Sequence, residues 1–549
     1  MAYHSHTVRL YRRKINLCCL FFLLFVGSIT CLILALFLPS CTPRVTFISG
    51  GTLPDDDLIT LQVVGPSSRR LFKWNPSEKY LAYLPHSGFH NQRIALENAL
   101  VLARLLNRTL LMPPARLGKD LISYHKFDDL HRLLIHSGKQ GLLHCPRAIS
   151  RRGVSPSSPP PSPSPPPPEC WGYFDYTHVS WDWLFDLSSI AAEQPLFHHE
   201  TFTYPWLENP PPDAGTFKLR DQTAYDFRFV DHVPAANARP HPRYRTSYPI
   251  SLLAASDAQL IQLGTLFGSS RLHLTKRRNI AMRTAIRERM AIANPYLRAA
   301  SLAVANALGG QDTFLAAHVR LSNGPFRALR EQTVRSIWYR LVACALNING
   351  SSDSGTEEVY TLERRLVPTH AEFPPPPDLS VSLRVNHARL PTSGSTRLVP
   401  VLDAMPPMNM NTNSGSSTVR VVKCAGKPHE ESELAPLNVP LFVATDIEEE
   451  GDVQGSLAPL RAAFPCMVLL RDLATMEVGT SLLREVRVLD QLVNAEDGVR
   501  LGPFLAPLLD AGVAARAWAV VGTEGSTFST YVEDLLWPRE HGRQIVQRG

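Results

Sequence analysis

The sequence predicts an α/β protein built on parallel sheets. Short apolar strand patterns alternate with helix patterns over most of the chain, and each unit breaks at a glycine-rich or polar turn. Two clusters of such units, separated near residue 300, predict two Rossmann-like halves.

The elements follow in order. Residues 80–84 (YLAYL) form a strand, 85–90 a turn in which Gly88 provides conformational relief, and 91–106 a helix. Residues 109–112 form a second strand, stopped by Pro113 and Pro114. In the later half, 313–319 (TFLAAHV) is a strand, followed after Arg320 by a loop and a helix through Ala345. Residues 439–444 (VPLFVA) form a buried strand. Residues 518–521 form the last strand, 522–525 its turn, and 526–537 the closing helix.

Composition narrows the function. The 549 residues carry 56 Lys+Arg against 49 Asp+Glu, a net charge of +7, and no run of five basic residues, which argues against a nucleic-acid binder. With 44% hydrophobic residues the chain is not wholly disordered, and nine cysteines in this length do not make a disulfide-stapled module.

Residues 15–38 hold 24 positions without a charge, about 36 Å as a helix and enough to span a bilayer. Arg9, Arg12, Arg13 and Lys14 precede that segment and only Arg44 closely follows it, so a cytosolic N-terminus and a lumenal body are expected. The expected organisation is a tail over 1–14, a signal-anchor over 15–38 and a stem over 39–75. The two halves then cover 76–305 and 306–549, with a Pro-rich insertion at 151–169 and an irregular one at 351–423.

Sequons at Asn107 and Asn349 agree with a lumenal side, although Asn107 sits between an apolar helix and an apolar strand, where burial is expected. Cys145 and Cys170 flank the Pro-rich insertion and are the first candidates for a disulfide. No Cys-x-x-Cys is present, so no structural metal is expected.

Three segments could carry chemistry, because open α/β sheets bind ligands beyond the carboxyl ends of their strands. The first is 86–93 (HSGFHNQR), where Asn91, Gln92 and Arg93 bring polar groups to a helix start. The second is His318-Val319-Arg320, whose arginine can reach a diphosphate. The third is 522–529 (GTEGSTFS), where Ser526 and Thr527 can cap a helix and donate to phosphate; no Gly-Lys-Ser/Thr makes it a Walker loop. The acidic runs 55–57 and 448–450 read as a stem feature and a solvated helix start.

Taken together, the segment 88–114 (GFHNQRIALENALVLARLLNRTLLMPP), the HVR at 318–320, the FVATD at 442–446 and the final GTEGSTFSTYVEDLLW resemble the GDP-fucose protein O-fucosyltransferase family in its fungal and plant-like branch. VSWDWLFDL at 179–187 resembles a further family segment, and the resemblance spans about residues 80–540.

It implies a GT-B architecture, an inverting transfer of fucose from GDP-fucose to a protein or glycan hydroxyl, and no metal or other cofactor. Carried over by position, Gly88, Phe89, Asn91 and Arg93 face the donor, with Asn91 near the sugar diphosphate. His318 and Arg320 lie at the leaving phosphate, which Arg320 neutralises. Ser526, Thr527 and Phe528 line the phosphate and ribose end, and Asp510 reads guanine. His86 or His90 could serve as the acceptor's base.

The pattern departs from the family in two places. After Arg320 the chain runs Leu321-Ser322-Asn323 where a second Arg and an Asp are common, and Ser87 stands where some members carry a Glu. These departures motivate an alternative, a lumenal nucleotide-sugar or glycan binder without turnover. The polyproline stretch motivates a third, a tethered scaffold. The expected setting is the Golgi or endoplasmic reticulum membrane.

Overall fold

The computed structural model describes residues 61–62, 72–118, 121–145, 167–198, 204–211, 215–232, 241–322, 324–348, 353–367, 424–447, 451, 455–475 and 480–547. The expected signal-anchor at 15–38, the sequon at Asn349, residues 151–166 of the Pro-rich insertion and both acidic runs lie outside these residues. Among the described residues, no helix is long and apolar enough to cross a membrane.

Five parallel strands make the first sheet: β1 (Tyr80–Ala82), β2 (Thr109–Met112), β3 (Leu196–His198), β4 (Thr216–Leu219) and β5 (Leu260–Leu263), in the order β3-β2-β1-β5-β4. Helix α1 (Phe89–Leu105) crosses from β1 to β2. Its small and apolar positions, among them Ala95, Leu96, Ala99, Leu100 and Ala103, are almost fully buried, so packing rather than a single amphipathic stripe holds it. It begins two residues before the expected start and ends one residue before the expected end, an ordinary uncertainty of helix boundaries. Asn107 follows in the left-handed region, with φ of 51°, and is exposed rather than buried, because the chain must reverse there before β2.

Helices α2 (Arg277–Glu288) and α3 (Pro295–Ala307) lead to the second sheet. Asn294 caps α3 by accepting from the Tyr296 and Leu297 amides, with Pro295 in the first turn. The second sheet is also parallel: β6 (Leu315–Val319), β7 (Leu441–Thr445), β8 (Met467–Val468) and β9 (Ala519–Gly522), in the order β8-β7-β6-β9. All five residues of β6 are buried, which explains its unbroken apolar pattern. Helix α4 (Arg330–Ala345) follows β6, and α5 (Gly502–Ala514) precedes β9.

The closing helix departs from expectation. After β9, α6 (Thr527–Tyr531) lasts five residues, passes into a π turn over Val532–Leu536, and resumes as α7 (Trp537–Glu540). Pro538 removes an amide donor, and Glu533 is turned back to accept from the Gly522 amide.

The expected Cys145–Cys170 disulfide is present, and a second joins Cys424 and Cys466; Cys344 is free. The sulfurs of Cys145 and Cys170 lie beside His144 and are consumed by the bridge.

Candidate functional site

The three sequence motifs meet where α1 packs against α6. His318, at the end of β6, lies parallel to the Phe528 ring at 4.1 Å. The His90 ring approaches Phe528 edge-on at 4.9 Å and lies 4.9 Å from Tyr531. Arg93 stacks over Tyr531 at 4.7 Å, and the Tyr531 hydroxyl donates to the Met290 carbonyl. Segments more than 200 residues apart in sequence thus share one cluster of rings.

Hydrogen bonds fix the second half of that cluster. Thr523 Oγ1 donates to the His318 carbonyl at 3.0 Å and accepts from the Arg320 amide at 2.9 Å, joining the ends of β9 and β6. His318 Nδ1 lies 2.7 Å from Ser529 Oγ. Both backbone groups of Gly522 are engaged, its amide with Glu533 and its carbonyl with Arg340, which in turn lies 3.3 Å from Glu533. A Cβ on Gly522 would lie 2.4 Å from that of Ser529, so this approach requires glycine. Gly525 supplies the positive φ of the exposed turn.

Arg320 is the cationic side chain that the motifs leave partly open, with its side chain 29% exposed. Its guanidinium lies 4.6 Å over the Phe326 ring and 3.9 Å from Asp446. Asp446 also accepts from the Leu321 and Ser322 amides and the Ser322 hydroxyl, so the loop after Arg320 is tied to the end of β7. An acid supplied from another strand therefore braces this loop, which carries no acid of its own through Asn323. Sequence reasoning gave Asp446 no role beyond a strand terminus, and it passed over Thr523, Ser529 and Tyr531 although all lie within quoted motifs.

The expected site residues part company in the first loop. Gly88 is extended (φ −70°) and a Cβ there would meet only Leu121 at 3.9 Å, so it provides no relief; the left-handed residue is Ser87, with φ of 63°. Phe89 packs on Trp181 and Phe185. Gln92 exchanges hydrogen bonds with the Arg116 backbone and donates to the Ser87 carbonyl. Arg93 is 1% exposed and joins Glu97, which makes it a structural cation instead of an open donor group. Asn91 Oδ1 is buried with no hydrogen-bond partner.

Ser526 is fully buried and caps α6 through the Ser529 amide, while Thr527 and Phe528 are half-buried. Asp510, on α5, has a buried, unpartnered Oδ1. Burial pushes its carboxyl up to about 7 against the opposing charge of Arg471, which donates to the carbonyl of Ile447 just past β7.

The imidazoles are not poised as bases near neutrality. Burial pushes His318 down to about 3, with Asp446 opposing and Arg320 reinforcing. Burial, then Arg93, His318 and Arg320, holds His90 well below its ordinary value. His86 falls to about 4, again through burial, with Arg271 and His125 adding to it. Its ring nitrogens lie against Ser87 Oγ and Thr265 Oγ1.

These histidines fix a pH dependence. The folded-state values lie below the unfolded value of about 6.5, so folding excludes protons. That stability is complete above about pH 6.5 and drains as pH falls toward the folded values, at up to about 1.4 kcal/mol per unit per histidine. Denaturant midpoints measured at pH 7 and 5 should show a fall in the natural chain and a shallower fall in His318→Asn. Equal slopes would remove His318 from that dependence.

No family model matches the chain. A stretch of 37 residues, 7% of this chain and 7% of the relative, is 57% identical to O-fucosyltransferase 30 of Arabidopsis thaliana. The chain thus spans a small fraction of the curated relative it matches. Among solved structures, POFUT1 in complex with GDP aligns at a TM-score of 0.32 and 11% identity, over 86% of this chain and 97% of that one. POFUT1 in complex with GDP-fucose aligns at 0.31 and 11%, with the same coverage.

Proposed function

We propose that the chain is an O-fucosyltransferase-like enzyme that moves fucose from GDP-fucose to a hydroxyl of a protein or glycan, with inversion at the sugar carbon. One observation carries this reading. The first, second and last motifs meet in one ring cluster, where β6 and β9 end and α1 begins, with Arg320 partly open beside it. The short match to O-fucosyltransferase 30 agrees in kind. The two parallel sheets are read as the two Rossmann-like bodies of a GT-B enzyme.

In this reading Arg320 meets the negative charge that builds on the departing β-phosphate, and the unpartnered Asn91 amide oxygen turns to the donor. Asp510, once ionised, accepts from guanine. The donor is held by protein groups, without a metal, and the body lies in the lumen of the Golgi or endoplasmic reticulum behind the anchor at 15–38.

A second reading, donor binding without turnover, draws on Ser87 in place of an acidic residue and on the neutral His86 and His90. The discriminating experiment is a panel of nucleotide sugars incubated with the purified chain and candidate acceptors, with calorimetry against GDP alongside. GDP binding with release of GDP from GDP-fucose supports the transferase. GDP binding without turnover on any acceptor supports the second reading, and absence of GDP binding removes both.

A further inference from the structure

We propose that His144, Cys145, Glu169 and Cys170 form a zinc site that becomes available when the Cys145–Cys170 bridge is reduced. The site shares no residue with the three motifs, and it is independent of the transferase reading.

The donors already converge in the oxidised chain. His144 Nε2 lies 3.8 Å from Cys145 Sγ and 3.7 Å from Cys170 Sγ, and Glu169 Oε1 lies 3.5 Å from the same nitrogen. His144 Nδ1 lies 3.2 Å from the Gly141 carbonyl, which can only accept. In the neutral ring Nδ1 therefore carries the hydrogen, and the Nε2 lone pair faces the sulfurs. A backbone carbonyl behind the histidine is a usual outer partner of a zinc ligand. Two sulfurs, an imidazole and a carboxylate are donors that tetrahedral zinc takes. The sulfurs sit in a small apolar cluster with Tyr173 and Val499, while the His144 and Glu169 side chains are half exposed and give an ion its way in.

Cutting the bridge leaves the donors together, because other contacts hold both arms. The Cys145 amide donates to the Leu142 carbonyl at 2.9 Å, and the Cys170 amide to the Pro167 carbonyl at 2.8 Å. Upstream, Lys139 forms a buried ion pair with Asp497 at 2.7 Å; downstream, the Tyr173 hydroxyl donates to the Asp497 carbonyl at 2.9 Å. Both arms are thus tied to one residue. A dithiol passes two electrons to the bridge and closes to its own disulfide, leaving two protein thiols. Zinc(II) then takes both as thiolates, releases two protons, and completes its shell with His144 Nε2 and Glu169. A disulfide oxidant reverses this: the sulfurs hand it two electrons, the bridge re-forms and the ion departs. The second bridge, Cys424–Cys466, has no such companions among the described residues.

The probes are zinc(II) and cobalt(II), added to the full-length chain before and after a dithiol treatment whose excess is removed under inert gas. Metal per chain, the cobalt–thiolate absorption and zinc affinity against a chromophoric chelator are the readouts, with circular dichroism for the fold. The oxidised chain should bind no ion at this site, and the reduced chain one, with thiolate absorption that disappears on reoxidation. Cys424→Ser/Cys466→Ser should keep the ion and Cys145→Ser/Cys170→Ser should lose it. Affinity should fall about tenfold or more in His144→Ala and in Glu169→Gln, whose exposed positions spare the fold. The proposal is overturned by a reduced chain that unfolds or binds no ion. It is equally overturned by an ion retained in Cys145→Ser/Cys170→Ser, or by unchanged affinity in both His144→Ala and Glu169→Gln.

Discussion

Arg320→Ala is expected to lower turnover of GDP-fucose by about 10²–10³-fold, the usual cost of removing one preorganised donor from a developing anion. The effect should fall on the chemical step and spare the fold. The Arg320 amide, not its side chain, makes the bond to Thr523 Oγ1, and Asp446 holds the loop through the Leu321 and Ser322 amides. An alanine keeps all of these. Arg320→Lys should recover only part of the loss, because a compact ammonium cannot reproduce a bidentate fork. The measurement is donor hydrolysis and transfer at saturating GDP-fucose, with circular dichroism as the control. An undiminished rate would take Arg320 out of catalysis.

The second large effect is on stability. Glu97 is the carboxylate shared by three guanidiniums, at 3.3 Å from Arg93, 3.5 Å from Arg283 and 3.5 Å from Arg287, and each of these side chains is at least nine-tenths buried. Burial alone raises the Glu97 carboxyl, but Arg287, Arg93 and Arg283 outweigh it and hold it below its ordinary value. Its contribution is therefore present above the unfolded value and lost as pH falls through the lower folded one.

Glu97→Gln strands buried positive charge and should cost about 3–5 kcal/mol, read as a lowered denaturant midpoint. Adding Arg287→Met should restore part of it, since the stranded charge rather than the missing contact is the larger loss. A single-variant loss below about 1 kcal/mol would show that the cluster is well solvated or repacks.

Five of the nine strands in the two sheets were legible, because parallel strands buried on two faces read as short apolar runs, as residues 315–319 do, whereas β3, β4, β5 and β8 were not called. The helix after β1 was legible through the periodic apolar positions of α1. Residue roles were less so. Arg93 and Gln92 look like ligand groups in a string of letters, but three-dimensional neighbours claim them: Glu97 for one and the Arg116 backbone for the other. Gly88 looked like the turn's relief, whereas Ser87 carries the left-handed backbone, held by its carbonyl to Gln92 and its amide to Ile122. Asp446 braces the Arg320 loop from 124 residues away in sequence, and no local pattern encodes that. The π turn after Tyr531 was hidden too: Pro538 stands in the sequence, but the hydrogen bond that the Gly522 amide donates to Glu533 is long-range.

The way Thr523 and Ser529 are spent on His318, and Glu533 and Arg340 on Gly522 and each other, has a consequence for genetics. Most polar side chains of the last motif hold backbone or neighbouring side chains in place. Amino-acid changes there should act mainly on how much folded protein survives cellular quality control, since a loss of about 1–2 kcal/mol changes abundance several-fold. A phenotype mapped to this motif would therefore report dosage, and lowering the growth temperature should partly rescue it. A phenotype mapped to Arg320 should be indifferent to temperature, because each surviving molecule would be impaired.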